Sequence, residues 1–570
     1  QQRKKLELKR NSKGGGKKAS RMHIFCLCRG QSLLAVLGLA VIFASSGVKG
    51  LAMSSDSPKQ ALTKHAISWA ASSGLQVGRG DNPPRFTHVP FSLLPQALPQ
   101  DAFVRAQNVA PTFGTLVHRV SQDSTFLKES LAEVCESDDF TRRLVDLMKT
   151  VEAEGGPVQR AALGILRSDY MLHDPSLIGK AGDPVFLQVE LNTIASSFGC
   201  LSARVAQLHC HLLQRFGPNG AQAGATSAMV DAHFANVSLA QVRGGIMPSR
   251  DEDGSPATKK ARPENALASA QPPNPSLEKL PAALHAAWAH YNAPNAAIVF
   301  VVQDGETNVM DQRLLEFQVF ENYGIPVHRL SLGEIQKRCS LSEDGKRRLY
   351  IDGAIEVAVV YFRAGYTPND YPTEAEWEAR LKIEQSYAIK CPNIGYHLTG
   401  TKKVQQVLTS PKELARFLSP EESEQIFATF AGLYSLGSDA GKETEAAVAE
   451  CRKNPDLYVL KPQREGGGNN LYGQDIIDKL DGCSPQELQE FVLMERFFPR
   501  AQEAVLVREG EAVTGPAVSE LGIYSTLLAE GDTVLLNDYA GYLLRTKLED
   551  VKEGGVATGY AVLSSPVLTL

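Results

Sequence analysis

Residues 461–470 read KPQREGGGNN and follow directly on the apolar run Leu457–Leu460, which is typical of a β-strand. Glycines have no Cβ atom, so their backbone N–H groups can come close to a phosphate, and Lys461 would add a positive charge beside it. Glu465 lies among these donors and would repel a phosphate unless a divalent cation came between them. The segment therefore predicts a loop that binds a nucleotide with Mg²⁺, although its spacing matches neither the P-loop nor the G-x-G-x-x-G pattern. For such a triplet alone, a glycine hairpin on the surface is the alternative.

A second set of oxygen ligands lies far upstream in the sequence. Glu190 and Asn192 stand two residues apart on a predicted strand, Val185–Leu191, so their side chains share one face. Mg²⁺ prefers hard oxygen ligands such as a carboxylate and an amide carbonyl. We therefore predict a metal site formed by Glu190, Asn192 and Glu465. Without the glycine loop, the edge of an exposed strand would be the simpler interpretation of Glu190 and Asn192.

The composition excludes several classes of protein. The 570 residues are 43% hydrophobic and 22% charged, as in ordinary globular proteins, and a net charge of −5 gives no support to nucleic-acid binding. The nine cysteines are scattered without a CxxC pair, which argues against a disulfide framework or a zinc site and favours a reducing compartment. The triplet His209-Cys210-His211 looks like a metal motif, but neighbours on a helix point apart, so a structural role is favoured.

Hydrophobic periodicity gives a coarse secondary structure. It predicts helices at 60–78, 123–153 and 201–216 and a proline-rich connector at 83–99. From Ala297 to Arg363 strands alternate with a helix, which predicts a parallel sheet covered by helices. A mostly antiparallel set of strands is predicted at 457–463, 491–497, 517–529 and 533–546.

Several blocks of sequence, in the same order, resemble the eukaryotic glutathione synthetases, which are ATP-grasp ligases. The blocks are 167–170 (RSDY), 190–194 (ELNTI), 306–308 (ETN), 311–313 (DQR), 361–366 (YFRAGY), 400–406 (GTKKVQQ), 461–473 with the glycine loop, 519–523 (SELGI), 543–547 (LLRTK) and 554–557 (GGVA). The resemblance runs from about Met53 to the C-terminus and is interrupted by one insertion.

The resemblance implies an α/β protein with an ATP-grasp fold. Antiparallel sheets would clasp the nucleotide, with an inserted parallel-sheet substrate lobe and a helical N-terminal part. We predict the following division: 1–52, a targeting or non-native extension; 53–216, the N-terminal part of the ATP-grasp body with the metal-binding strand; 217–278, a low-complexity disordered insertion; 279–400, an α/β substrate-binding lobe; 401–570, an ATP-grasp domain with the glycine-rich loop and a C-terminal lid. The insertion is rich in Ala, Gly, Pro, Ser and Asn and is expected to bury too little surface to fold alone.

The N-terminal extension resembles a targeting segment. Residues 3–21 are strongly basic, and the apolar run 33–44 is too short to span a bilayer comfortably but suits a signal or transit segment. Met22 is an alternative start. We expect a cytoplasmic or organellar enzyme, in a plastid or mitochondrion, after removal of this segment, with no stable membrane association of the mature protein.

The resemblance also implies ATP as co-substrate and two Mg²⁺ ions. The lysines Lys402 and Lys461 would meet phosphate oxygens as point charges, and Met494 would contact adenine, although a methionine on a strand is usually core. The predicted ATP-binding residues are Glu190, Lys402, Lys461, Glu465, Gly466, Gly467, Gly468, Asn469, Asn470, Tyr472, Met494, Glu495, Arg496, Glu520, Lys547 and Glu553.

The implied peptide substrate is γ-glutamylcysteine, which carries two carboxylates and an ammonium group. Arginines can bind carboxylates with two parallel hydrogen bonds, and amide and hydroxyl groups would bind the rest. The predicted substrate-binding residues are Arg167, Ile194, Ala195, Ser196, Ser197, Glu306, Thr307, Asn308, Gln312, Arg363, Tyr366, Arg545, Val556 and Ala557.

The implied reaction joins γ-glutamylcysteine to glycine through an acyl phosphate, in a homodimeric enzyme. Arg545, Lys461 and Lys402 are the expected catalytic residues, and residues 554–557 would form a lid that excludes water. Ala195 stands where a serine is common in the family, which removes one hydroxyl contact. A homoglutathione-type synthetase that uses β-alanine and a catalytically silent ATP-binding paralogue are the alternatives.

Overall fold

The computed structural model describes residues 57–79, 85–217, 220, 224–235, 237–238, 266–437, 440–462, 470–551, 554–556 and 559–570. The N-terminal part contains α1 (Pro58–Ser72), β1 (Gln76–Arg79), β2 (Arg85–His88), β3 (Phe91–Ser92), β4 (Gln96–Pro99), α2 (Gln100–Gln122), α3 (Ser124–Leu131), α4 (Val134–Ser137), α5 (Asp139–Ala153), β5 (Ala161–His173), β6 (Val185–Asn192) and α6 (Gly199–Phe216).

The middle of the chain forms an α/β lobe. Its elements are α7 (Ala225–Phe234), α8 (Ala266–Ser269), α9 (Ser276–Tyr291), β7 (Ala297–Val301), α10 (Val309–Tyr323), β8 (Val327–Leu330), α11 (Leu332–Arg338), β9 (Cys339–Leu341), β10 (Leu349–Ile351), β11 (Ile355–Phe362), α12 (Glu374–Gln385) and β12 (Ile389–Cys391).

The last third of the chain is rich in long strands. Its elements are α13 (Ile394–Thr399), α14 (Lys402–Val407), α15 (Pro411–Leu414), α16 (Pro420–Phe427), β13 (Leu433–Ser435), α17 (Lys442–Lys453), β14 (Tyr458–Pro462), β15 (Leu471–Tyr472), α18 (Gln474–Gly482), α19 (Pro485–Leu488), β16 (Phe491–Glu495), β17 (Gln502–Arg508), β18 (Glu511–Glu530), β19 (Thr533–Leu548), β20 (Val562–Ser564) and β21 (Pro566–Thr569). Short 3₁₀ turns occur at Pro175–Ile178, Pro368–Asp370 and Pro455–Leu457.

One large mixed sheet organises the molecule. Its antiparallel half contains β17, β18, β19 and β5, and β6 pairs with the C-terminal part of β5. A parallel half, with β8, β7, β11 and β12 side by side, joins β5 through β12. The alternation between Ala297 and Arg363 therefore does form a parallel sheet, and the predicted α/β class is confirmed.

A second, smaller sheet holds the ends of the glycine loop. Its strands β13, β16, β14 and β15 are antiparallel, in that spatial order. Val459 on β14 pairs with Tyr472 on β15, so the chain leaves one strand with Lys461 and returns on its neighbour. The predicted loop residues 463–469 lie outside the described residues. The presence of two antiparallel regions is consistent with an ATP-grasp fold.

The structure corrects two boundaries near the N-terminus. The helix predicted at 60–78 ends at Ser72, because Gly74 adopts φ +73° and the following residues form β1. The predicted connector 83–99 contributes three short strands, β2, β3 and β4, to sheets. The periodicity analysis also missed β5 and α2. Almost all of β5 is buried, so it shows no alternation, whereas α2 does have buried residues at helical spacing, including Phe103, Ala106, Val109 and Phe113.

The predicted disorder of 217–278 is wrong for two parts of this segment. Residues 225–234 form α7, in which Val230 and Phe234 are buried, and Leu267 in α8 is also buried in the same core. These few large apolar side chains dock on a core that the rest of the chain already forms, which composition alone does not reveal. Residues 239–265 lie outside the described residues.

Buried His209 ties three parts of the fold together. One ring nitrogen bonds the carbonyl oxygen of Ser92 at 2.7 Å, and the other bonds Oγ of Ser565 at 2.7 Å. The contact with Ser92 requires that this ring nitrogen carries a proton. Burial disfavours the charged form of the ring and lowers the pKa of His209 to about 4.

Among the described residues, no helix is both long and apolar enough to cross a bilayer.

The depressed pKa makes His209 a source of acid sensitivity. In the unfolded chain the pKa of histidine is about 6.5, so this side chain is protonated there at a higher pH than in the folded state. The free energy of unfolding therefore decreases as the pH falls from about 6.5 towards 4. We expect the loss in free energy of unfolding between pH 7 and 5 to be smaller by about 2 kcal/mol in His209→Gln than in the wild type. Urea unfolding at both pH values measures this difference. Between pH 7 and 8 the two proteins should change equally; equal acid sensitivity of the two would contradict the assignment.

Candidate active site

Four adjacent strands of the large sheet carry a ladder of charged side chains. Arg167 and Asp169 lie on β5, with Glu190 paired opposite Asp169 on β6. On the other side of β5, Glu520 on β18 pairs with Arg545 on β19. Because side chains two residues apart on a strand share a face, these groups all converge on one side of the sheet.

A cavity of about 240 Å³ lies over this ladder. Its walls come from β6, from the segment that follows it, from β14 of the small sheet and from the C-terminal segment. The lining residues are Arg167, Val189, Glu190, Asn192, Ile194, Ala195, Ser196, Ser197, Tyr366, Lys402, Lys461, Pro462, Asn470, Glu520, Arg545, Gly554 and Gly555.

Two lysines reach the cavity from outside the large sheet. Lys402 is the first residue of α14, and its Nζ lies 2.6 Å from Oε2 of Glu190. Lys461 is on β14, and its Nζ donates to the carbonyl oxygen of Val189 at 3.0 Å. The small sheet and α14 thus bring cationic groups onto strand β6, where Glu190 is.

Electrostatics keep Glu190 ionised. Burial would raise its pKa, but the cations of Lys402, Lys461 and Arg545 outweigh burial and hold the pKa well below the usual range for a glutamate. The carboxylate is therefore charged at any physiological pH and available to a cation. Its neighbour Asn192 directs Nδ2 towards three oxygens, which leaves the amide oxygen as the free ligand atom.

Arg545 is held between two carboxylates. Its Nη2 donates to Oδ2 of Asp169 at 3.0 Å and also to Glu520. Burial would lower the pKa of Arg545, but Glu520 and Asp169 raise it. For Glu520, burial and the nearby anions raise the pKa against the effect of Arg545. The guanidinium group is thereby fixed at the cavity wall in its charged form.

The segment after β6 has an unusual backbone. Ala195 and Phe198 both adopt positive φ, at 51° and 70°, although neither is a glycine. Asp311 stabilises this conformation, since its carboxylate accepts from the N–H groups of Phe198 at 2.8 Å and Cys200 at 3.0 Å, at the start of α6. Asp311 also pairs with the buried Arg363 at 3.1 Å, which links the segment to the α/β lobe.

Several predicted substrate residues form a neighbouring cluster that does not line this cavity. Glu306 accepts from the N–H of Asn308 at 2.7 Å and from Nε2 of Gln312 at 3.0 Å, and Arg329 donates to Gln312 at 2.6 Å. The amide of Asn308 is buried, and neither its nitrogen nor its oxygen has a hydrogen-bond partner among the described residues; the same holds for Nε of Arg363. Buried polar groups are nearly always paired, so these atoms are the ones a polar ligand would satisfy.

The predicted adenine residues lie on β16 and beside it. Met494 is almost fully buried and packs with Val459, Phe497 and Tyr472, so it is part of a small apolar core next to Val189. The backbone N–H of Glu495 donates to Gly432 at 3.0 Å. None of these side chains lines the 240 Å³ cavity.

The placement of the predicted site residues falls into three groups. Those that line the cavity are Arg167, Glu190, Asn192, Ile194, Ala195, Ser196, Ser197, Tyr366, Lys402, Lys461, Asn470, Glu520 and Arg545. Those that lie elsewhere among the described residues are Glu306, Thr307, Asn308, Gln312, Arg363, Tyr472, Met494, Glu495, Arg496, Lys547 and Val556. The remaining predicted residues lie outside the described residues: Glu465, Gly466, Gly467, Gly468, Asn469, Glu553 and Ala557.

Sequence reasoning missed two residues of this site as functional candidates. Asp169 bonds Arg167, Arg545 and Asn192, and Asp311 holds the segment at 198–201. Both belong to the blocks that resemble the family. For Asp169, the spacing of two from Arg167 on one strand was the available signal.

Comparisons with known proteins point to one family. The sequence profile of the family described as eukaryotic glutathione synthase, ATP binding domain, matches residues 56–568. The chain is 38% identical over 517 residues to the chloroplastic glutathione synthetase of Solanum lycopersicum, with 89% of this chain and 84% of that protein covered. It is 36% identical over 512 residues to the glutathione synthetase of Homo sapiens, with 89% and 96% covered.

A solved structure shares the fold. The apo form of a glutathione synthetase-like effector from Globodera pallida aligns with a TM-score of 0.65 over 90% of this chain and 98% of that one. The sequence identity is 23%, so this likeness concerns the fold.

The position of Lys402 predicts its effect on nucleotide binding. Lys402→Gln removes a cation beside Glu190, and we expect ATP to bind about tenfold more weakly or worse, since a hydrogen bond to a charged group contributes roughly 1.5–3 kcal/mol. Calorimetric titration with Mg-ATP measures the change. Lys403→Gln is the matched control, because that buried lysine bonds Oγ of Ser435 at 2.6 Å and does not line the cavity. It should lower the melting temperature and keep the ATP affinity within about twofold; the reverse pattern would contradict the assignment.

Proposed function

This chain belongs to the eukaryotic glutathione synthetase family, and we propose that it joins γ-glutamylcysteine to glycine while ATP is converted to ADP and phosphate. The observation that carries the proposal is the convergence of two arginines and two lysines with an ionised Glu190 on one small cavity. Phosphoryl transfer and acyl transfer both develop negative charge on oxygen, which such fixed cations stabilise.

The residues present fit Mg²⁺ as cofactor. Glu190 is held ionised, and Asn192 has its amide oxygen available beside it, which is the hard oxygen set that Mg²⁺ prefers. Glu465 is the proposed third ligand, from the loop between β14 and β15. When bound, Mg²⁺ would neutralise charge on the ATP phosphates.

The lysines and the arginine then have separate roles. Lys402 and Lys461 exchange their contacts with Glu190 and the carbonyl of Val189 for phosphate oxygens of ATP. The cysteinyl carboxylate of the dipeptide attacks the γ-phosphate, which gives an acyl phosphate and ADP. Arg545, fixed by Asp169 and Glu520, lies where it can neutralise that acyl phosphate while the amine of glycine attacks the carbonyl carbon and phosphate leaves.

The dipeptide would extend from the cavity towards the α/β lobe. Arg167 at the cavity wall and Arg363, which pairs with Asp311 in the α/β lobe, offer guanidinium groups for its carboxylates. The unpaired amide of Asn308 and the carboxylate of Glu306 suit its amide and ammonium groups. Binding would thus satisfy polar atoms that lack partners among the described residues.

Assembly and location stay predictions. A homodimer is expected from the resemblance, and Phe317 and Phe320, exposed on α10, are the kind of apolar side chains that a subunit interface covers. The tomato and Arabidopsis thaliana relatives are named chloroplastic. Residues 1–56 lie outside the described residues, so import of the full chain into isolated plastids is the appropriate test.

The proposed reaction predicts a specific dependence on the acceptor. With ATP, Mg²⁺ and γ-glutamylcysteine, we expect phosphate release to depend on glycine and to match glutathione formed, because without an amine the acyl phosphate is protected in a closed site. Phosphate release and chromatography of the product measure both. Faster release with β-alanine would contradict glycine as acceptor, and no release from a folded protein that binds ATP would contradict ligation.

Glu465 provides a test of the metal site. We expect Glu465→Ala to reduce ligation by at least about 100-fold through loss of a metal ligand, with partial recovery at high Mg²⁺. Asp475→Ala is the control, since this exposed carboxylate on α18 is close in sequence and should leave turnover unchanged. Normal turnover of Glu465→Ala at ordinary Mg²⁺ would remove Glu465 from the site.

A further inference from the structure

Asp169 is a fully buried carboxylate in the charged ladder, and it does not itself line the cavity. Its Oδ1 accepts from Nε of Arg167 at 2.7 Å, and its Oδ2 accepts from Nη2 of Arg167 at 2.8 Å. The same Oδ2 accepts from Nη2 of Arg545 at 3.0 Å and from Nδ2 of Asn192 at 3.1 Å. Oδ2 thus accepts three of the four hydrogen bonds, and Oδ1 accepts one.

The contact with Asn192 decides which atom of that amide faces the cavity. Besides Asp169, Nδ2 of Asn192 lies 3.3 Å from the carbonyl oxygen of Arg167 and 3.4 Å from Oε1 of Glu190. All three neighbours are acceptors, so the amide nitrogen faces them and the amide oxygen is left for the cavity. A rotated amide would place its oxygen against the carboxylate of Asp169, which is unfavourable.

The strand opposite leaves space for this carboxylate. Gly522 on β18 pairs with Asp169, and a Cβ atom at position 522 would lie 2.7 Å from Oδ1 of Asp169 and 2.9 Å from Cδ of Arg167. Both distances are shorter than van der Waals contact. The glycine is therefore required by the position of the Asp169 side chain rather than by backbone conformation.

We propose that Asp169 is a positioning residue, which fixes the guanidinium groups of Arg167 and Arg545 and turns the Asn192 oxygen towards the metal. The proposal rests on the function proposed above, because it concerns the same cavity. It goes further because Asp169, which does not line the cavity, would set the geometry of Arg167, Asn192 and Arg545, which do. Outer residues of this kind typically change metal affinity or activity by about 10- to 100-fold when replaced.

The test replaces Asp169 by a group of the same shape. In Asp169→Asn only one of the two oxygens remains, so the amide nitrogen, a donor, must face a donor of Arg167 or Arg545, and the negative charge between the two arginines is lost. We expect about 10- to 100-fold weaker binding of Mn²⁺ in the presence of ADP, measured by electron paramagnetic resonance of free Mn²⁺. We expect a loss of similar size in kcat/KM for γ-glutamylcysteine.

Two further variants keep the test decisive. Ser168→Ala removes a hydroxyl on the opposite face of β5 that accepts from Gln188 at 2.5 Å; it should lower the melting temperature and leave Mn²⁺ affinity unchanged. Gly522→Ala displaces the Asp169 carboxylate without changing its charge. If Asp169→Asn does not fold, the Mn²⁺ affinity of Gly522→Ala tests the proposal instead, and we expect it to be weaker than that of the wild type.

The outcomes separate this proposal from the proposed function. Wild-type Mn²⁺ affinity and kcat/KM in a folded Asp169→Asn or Gly522→Ala would overturn the positioning role, as would an equal loss of Mn²⁺ affinity in Ser168→Ala. Because Mn²⁺ and ADP bind without dipeptide or glycine, a wild-type protein that binds both and makes no glutathione would contradict the ligase function alone.

Discussion

The ion pairs that Asp169 makes with Arg167 and Arg545 are the constraint on which the site depends. Two guanidinium groups packed side by side in a buried sheet would repel each other, and removing them from water is costly. One buried carboxylate between them offsets both effects and adds three directed hydrogen bonds. Strands β5 and β19 are not neighbours, so the carboxylate also bridges across β18.

The long pairing of β18 with β5 makes this arrangement possible. It runs from Glu530 opposite Ala161 to Glu520 opposite Met171, and it aligns residues that are 349 to 369 positions apart in the chain. The small sheet then closes over the cavity, with Lys461 at the end of β14 reaching back to β6. The large sheet supplies the arginines and the carboxylates, while the small sheet and α14 supply the lysines.

Sequence patterns predicted the parts of this architecture that have clear periodicity. The strand that carries Glu190 and Asn192 and the long strands β18 and β19 lie close to where alternation placed them. The buried strand β5 has no alternation, because both of its faces are covered, so the strand at the centre of the site had to be found in three dimensions. Likewise, nothing in the composition of residues 217–278 shows that Val230 and Phe234 have a core to pack against.

The site itself was predictable only as a set of residue types. The family resemblance named thirteen residues that do line the cavity, but it gave no reason for Asp169 or Gly522, whose roles follow from a register across strands. Asp311 is a similar case, since its carboxylate acts on backbone N–H groups 110 residues away along the chain. Such long-range partners are set by tertiary packing, and the sequence shows only the spacing of two between Arg167 and Asp169.

The contacts of the two lysines have a consequence for selectivity among anions. Lys402 pairs with Glu190 and Lys461 donates to the carbonyl oxygen of Val189, so both ammonium groups have partners within the protein. Inorganic phosphate or chloride would have to replace these partners, and neither brings a cation that could pair with Glu190 in place of Lys402. A nucleotide that arrives with its own divalent cation supplies a phosphate for the lysines and a cation for Glu190, so we expect it to bind in preference to these small anions.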